Sequence, residues 1–171
     1  MSREEIPMNR DRWPLQAILV LVLAGLGVSS YLSYLDVQIS KAPNKSFCSI
    51  SQLFSCDVVI RSPYARFLGV PVAYLGVAGF LLFLILTIWA LVRLDQPSAR
   101  RTILGLMGLS WVALIFECYL TSVEAFVLKT FCPYCLTVFA LIIAIFLLSL
   151  RVASGGPNTR KPGTRVAVLE H

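Results

Sequence analysis

At 171 residues, with 57% hydrophobic and only 14% charged residues, the chain has the length of one domain but not the composition of a soluble one. Its formal charge of +6 is scattered over short loops and tails, with no basic stripe interleaved with aromatics, which argues against a nucleic-acid partner. What remains is an all-α integral membrane protein whose basic residues set its orientation.

The first 13 residues are polar. The apolar run behind them is longer than the core of a signal peptide and lacks a small-x-small cleavage site, so it reads as a retained first span. Runs at 15–35, 70–92, 103–127 and 132–150 each approach the roughly 20 residues that cross a bilayer core of about 30 Å. They predict a four-helix membrane domain over 14–151. Gly25, Ser29 and Ser33 recur every four residues in the first span, a small-residue stripe that lets another helix come close.

The 36–69 segment is the only sizeable polar connection. It holds Cys48 (Phe47-Cys48-Ser49-Ile50) and Cys56 (Phe54-Ser55-Cys56-Asp57) among too many apolar side chains for a free linker, including Leu53, Val58, Val59, Ile60, Tyr64 and Phe67. Such a segment is expected to lie over the bundle as a partly structured, partly membrane-immersed cap. The turn at 93–101 is short and basic, and residues 152–171 are rich in Gly, Pro and Arg, as in a disordered tail. The closing Leu169-Glu170-His171 resembles an expression-vector remnant and is set aside.

Basic residues divide unequally between the two sides. The N-terminal segment, the 93–101 turn and the tail carry ten (Arg3, Arg10, Arg12, Arg93, Arg100, Arg101, Arg151, Arg160, Lys161, Arg165), against five opposite (Lys41, Lys45, Arg61, Arg66, Lys129). By the positive-inside rule both termini are cytoplasmic.

In the third span Ser110, Glu117, Thr121 and Glu124 fall on one helical face. Carboxylates at membrane depth are expensive and face the bundle interior, so this stripe is a candidate proton relay or polar pocket. The plainer alternative has Glu124 reaching the outer interface and Glu117 hydrogen-bonded for structural reasons.

The stretch Phe131-Cys132-Pro133-Tyr134-Cys135 opens the fourth span. Cys132 suits the N-cap and Pro133 the first helical position, where its missing N–H is no loss. The positive helix end beside the sulfurs is expected to depress their pKa and make the pair reactive. With four spans, all four thiols of Cys48, Cys56, Cys132 and Cys135 emerge on one side, which the charge count makes non-cytoplasmic, where disulfides persist. Two pairs on one face are the parts of a disulfide relay. A zinc site usually shows two close Cys-X-X-Cys knuckles, which Cys48 and Cys56 do not form, so no metal is expected. Cys118, inside the third span, reads as a small buried apolar residue.

Together these residues resemble the vitamin K epoxide reductase family and its bacterial homologues. The likeness runs from the first span to the fourth. It rests on Cys48 and Cys56 in the Phe-Ser-Cys-Asp setting, Leu68-Gly69-Val70-Pro71 before the second span, Tyr119-Leu120 in the third, and Phe131-Cys132-Pro133-Tyr134-Cys135. DsbB-type oxidases do similar chemistry but place their Cys-X-X-Cys in the first outer loop, so cysteine order favours the former family.

The resemblance implies a membrane enzyme that makes disulfide bonds. Cys48 and Cys56 would form the shuttle pair, with Cys48 the point of attack by a thioredoxin-like periplasmic or extracellular protein. Cys56 would then attack Cys132, freeing Cys135 as a thiolate beside a quinone co-substrate of ubiquinone, menaquinone or vitamin K type. Ile60, Leu120, Leu128 and Phe139 are the implied pocket walls. With no fused thioredoxin-like domain in view, the partner is expected to be a separate protein, and the membrane the bacterial plasma membrane.

Where vertebrate members have a tyrosine one turn past the second active-site cysteine, this chain has Phe139. The lost hydroxyl weighs against epoxide reduction and vertebrate-type anticoagulant binding, and leaves plain quinone reduction. The rival readings are a vitamin K epoxide reductase of the endoplasmic reticulum, and a non-catalytic membrane scaffold or small channel with structural cysteines.

Overall fold

The computed structural model describes residues 12–41, 53–93 and 99–154, with backbone only at 99 and 100. Cys48, the N-terminal segment, the centre of the 93–101 turn and the 155–171 tail lie outside the described residues. Four helices are long and apolar enough to cross a membrane: α1 (Arg12–Lys41), α3 (Val72–Val92), α4 (Ala99–Val123) and α5 (Pro133–Ser154). Between α1 and α3 lie a short helix α2 (Cys56–Arg61), a single 3₁₀ turn (Pro63–Ala65) and a hairpin of β1 (Arg66–Phe67) with β2 (Val70–Pro71). The long helices form a closed ring in which α1 packs on α3 and α5, and α4 on α3 and α5.

Several boundaries differ from the sequence expectation, with α4 starting at Ala99 and α5 running to Ser154, and two of the differences shape the end that carries the cap. The first helix runs to Lys41, and its 30 residues span about 45 Å at 1.5 Å per residue, more than a bilayer core. Its last turns therefore leave the apolar layer as helix, because Leu35 and Ile39 are buried on the continuing apolar face. The second span starts at Val72, since Val70 and Pro71 are used in the antiparallel pairs Phe67↔Val70 and Arg66↔Pro71. The two-residue turn of this hairpin, Leu68 and Gly69, has both φ values positive (52° and 85°), which suits the twist of a tight hairpin. Phe67 meets Phe116 of α4 edge-on, with ring centroids 5.9 Å apart, and pins the hairpin to the bundle.

One half of the bundle is filled by aliphatic side chains around Leu15, Ile18, Val22, Phe83, Leu106 and Ile145. The few buried hydroxyls there are satisfied locally: Thr87 donates to the Phe83 carbonyl (2.7 Å), Ser110 to Leu106 (2.7 Å) and Ser149 to Phe146 (2.8 Å). Without water to compete, such i−3 or i−4 bonds remove the cost of a polar atom at depth. A second, smaller cluster joins Leu32, Leu35, Cys56 and Cys132, so the sulfurs are part of the packing at the opposite end.

The small-residue stripe of α1 faces α3. Phe80 lies where a Gly25 side chain would be, and Gly76 faces Ser29, whose Oγ would stand 3.0 Å from an added Cβ. Gly27, two residues on, has open space around it. Gly25→Ala should therefore cost about 1–3 kcal/mol through overpacking, whereas Gly27→Ala should be neutral or stabilising; thermal unfolding of the two variants in detergent micelles checks the difference.

Candidate functional site

The cap is tied to the α4–α5 connection by a parallel bridge between Phe54 and Phe131. Its two hydrogen bonds run from the Ser55 N–H to the Phe131 carbonyl (3.1 Å) and from the Phe131 N–H to the Leu53 carbonyl (2.9 Å). Both strands of the bridge run directly into a cysteine-bearing helix start. Two residues past Phe54 is Cys56, the first residue of α2, and one past Phe131 is Cys132, the residue before α5. The register brings their sulfurs to 3.3 Å, and both residues are fully buried.

Cys132 acts as the N-cap of α5. Its Sγ accepts the Cys135 N–H at 3.4 Å, and its carbonyl accepts the Leu136 N–H at 3.0 Å. This is the capping geometry usually supplied by a Ser or Asp oxygen, with a sulfur in its place. The N–H of Cys132 itself donates to Oε2 of Glu124 at 3.0 Å. Glu124 begins a single π-helical turn, Glu124–Leu128, that ends α4, and its carbonyl accepts the N–H groups of both Lys129 and Thr130. Lys129 takes a left-handed conformation (φ 51°), uncommon for a residue with a side chain. Wide turns of this kind occur often at functional sites. Here the turn holds a carboxylate, 3% exposed, against the two cysteines.

The expected depression of the thiol pKa is not found at Cys132. A hydrogen bond shared with the Cys135 sulfur holds the proton on Cys132 and pushes its pKa well up, burial adds to this, and the contact with Cys56 opposes it only in part. Proximity of a sulfur partner outweighs the partial charge of the helix end.

Beside the sulfurs is a cavity of about 270 Å³ within the bundle, walled by side chains of α1, α2, α3, α4 and α5. Cys135 stands on its wall, while Cys132 does not. A cavity of about 150 Å³ lined by aliphatic groups accepts benzene, so this one has room for a substituted ring.

Residues 16–150 match the family described as the Vitamin K epoxide reductase family. The chain belongs to the vitamin K epoxide reductase family. It is similar to the protein named Vitamin K epoxide reductase complex subunit 1 of Mus musculus, 28% identical over 139 residues (78% of this chain, 86% of the mouse protein). It is also similar to the Rattus norvegicus protein of the same name, 29% identical over 148 residues (82% and 91%). With its four membrane-crossing helices, this family member is a membrane oxidoreductase.

The structure distributes the residues singled out in the sequence as follows. Cys56 and Cys132 are brought together, Cys135 borders the cavity, and Cys48 lies outside the described residues. Ile60, Leu120 and Leu128 line the cavity, but Phe139 does not. On α5 the lining positions are Cys135, Val138 and Ile142, spaced by three and four. Phe139 is rotated about 100° from Val138, which carries it off that face. Cys118 is exposed on the outside of α4, not buried as expected, because it stands one residue beyond the inward-facing Glu117.

Glu124 is the residue beside the cysteines whose position sequence reasoning undervalued. It shares the inward stripe with Glu117, and both line the cavity, but only Glu124 touches the cysteines. Its signal was the distance of eight residues to Cys132, short enough for the chain to return on itself.

The raised Cys132 pKa makes a measurable difference in the fully reduced protein. Iodoacetamide modification of Cys132, followed by mass spectrometry, should keep rising with pH well beyond about 8.5, where a free cysteine thiol is half ionised; a plateau near that pH would contradict the geometry.

Proposed function

We propose that this protein makes disulfide bonds by moving electrons from a thioredoxin-like protein through Cys48/Cys56 and Cys132/Cys135 to a membrane quinone. The observation that carries this reading is the 3.3 Å approach of Cys56 to Cys132, with Cys135 turned to the cavity. A disulfide moves between pairs by attack of one sulfur on another, so adjacency of one member from each pair is what exchange requires.

The steps balance. A dithiol on the partner reduces the Cys48–Cys56 disulfide and leaves oxidised. Cys56, as thiolate, attacks Cys132 of a Cys132–Cys135 disulfide, forming Cys56–Cys132 and expelling Cys135 as thiolate. Cys48 then displaces Cys132 from Cys56, which restores the outer disulfide. The reduced Cys132/Cys135 pair closes again by giving two electrons and two protons to the quinone, which leaves as quinol.

An apolar cavity opening among lipid-facing helices suits a substrate that dissolves in the bilayer. Strongly oxidising thiol carriers lie near about −120 mV, so electrons leave them only for an acceptor of higher potential. The basic residues around the chain ends favour a non-cytoplasmic site, and we assign the protein to a bacterial plasma membrane.

A second reading, reduction of a vitamin K epoxide through the same sulfurs, is favoured by the name of the mouse and rat relatives. Offering the reduced protein quinone and epoxide side by side separates the two.

In a Cys135→Ala chain, Cys132 should attack Cys56 of the outer disulfide and expel Cys48 as thiolate. With Cys135 gone no inner disulfide can form, so Cys132 can only exchange between its free thiol and the Cys56–Cys132 bond, and a fraction of the chains should hold that bond. Mass spectrometry of peptides should then find Cys56 joined to Cys132. In parallel, reduced wild-type protein should bleach the absorbance of an added quinone analogue in proportion to its dithiol content. Absence of the joined peptides together with an unchanged quinone spectrum would leave only a structural role for the cysteines.

A further inference from the structure

We propose that Glu124 is the proton carrier of the quinone-facing step: it takes the thiol proton of Cys135 and delivers it to a quinone oxygen. This rests on the reading of the cavity as a quinone site. Glu124 Oε2 accepts the Cys132 N–H at 3.0 Å, the Cys132 sulfur caps the Cys135 N–H, and both Glu124 and Cys135 border the same cavity. It thus holds the backbone of the cysteine pair that gives up electrons and borders the space in which they are received.

The choice of residue is informative. Capping the Cys132 N–H needs only an acceptor, which an uncharged Gln or Ser would provide, whereas a carboxylate at the edge of a bilayer is costly. What a carboxylate adds is the capacity to hold a proton. No Lys, Arg or His lines the cavity among the described residues, so no cation there commits Glu124 to an ion pair. The other titratable groups on the walls are Glu117 from α4, Asp36 from α1 and Tyr64 from the cap, and Cys56 of α2 lies beyond Cys132.

The chemistry is balanced within the proposed reaction. The Cys135 thiol and the Glu124 carboxylate become a thiolate and a carboxylic acid. As the Cys132–Cys135 bond closes, two electrons pass to the quinone. Its oxygens take up the proton held on Glu124 and the proton leaving Cys132.

Glu124→Gln separates carrying a proton from capping, since the amide oxygen still accepts the Cys132 N–H. Two rates are to be measured on the purified full-length chain, reduced and in detergent: bleaching of a short-chain benzoquinone, and iodoacetamide modification of Cys135 read by mass spectrometry. In Glu124→Gln, quinone reduction should fall about a hundredfold, the lower range for loss of a positioned acid–base group. Cys135 should be modified at least as fast as in wild type, because the amide carries no negative charge to repel a thiolate. Glu124→Asp, which keeps the acid, should recover part of the quinone rate.

A fall in both rates would mark Glu124 as a structural cap and overturn the proposal, as would wild-type quinone reduction in Glu124→Gln. A wild-type chain that leaves the quinone untouched overturns the redox reading itself, and the carrier role with it. An active wild type matched by Glu124→Gln overturns the carrier role alone.

Discussion

Two backbone hydrogen bonds, between Phe131 and the Leu53 to Ser55 segment, hold the site together. The cap and the fourth membrane helix are far apart in the chain, and among the described residues this bridge sets the register between them. A shift by one residue would turn Cys56 to the other side of its segment and separate the sulfurs. The bond pair itself is of ordinary strength, about 0.5–1.5 kcal/mol for each hydrogen bond in net terms. Its effect is large because each side continues at once into a helix start, with Cys56 the first residue of α2 and Cys132 the cap before α5. Rigid elements then transmit the register to the sulfur atoms.

Cys132 is the point where the constraints converge. Its N–H is held by Glu124, its sulfur caps the Cys135 N–H, and the same sulfur lies 3.3 Å from Cys56. A sulfur used as a cap is fixed in orientation by the helix it caps, which favours a defined line of approach for a second sulfur. Cys135, one turn along, is the member that meets the cavity. The pair therefore has two distinct faces, one toward the cap and one toward the space among the helices, and the Cys-X-X-Cys spacing produces this separation.

The surroundings explain why the helix end does not set the Cys132 thiol's acidity. A partial charge spread over a helix terminus is worth a fraction of a kcal/mol to about 1 kcal/mol where exposed. A sulfur partner at hydrogen-bonding distance in a buried site acts more strongly, and it favours keeping the Cys132 proton in place. The same low polarity makes Glu124 noticeable. Its bond from the Cys132 N–H offsets only part of the cost of holding a carboxylate at the membrane boundary.

Much of this protein was determined by sequence alone. The four spans follow from apolar runs long enough to cross a bilayer, and parity of the spans puts the 36–69 segment and the Cys-X-X-Cys on one side. Pro133 after Cys132 marked the helix start, and Gly25 and Ser29 marked a close helix approach, because these depend on local chemistry and short spacings. Tertiary structure decided which sulfurs meet, since the Phe54–Phe131 bridge joins segments with no shared periodicity. It also decided that Glu124, rather than Glu117, holds the Cys132 N–H, because a π turn and a left-handed Lys129 place it there, and neither is encoded by an amphipathic repeat. Phe139 and Cys118 stand where helix rotation puts them, and that rotation is set by all the packed helices together.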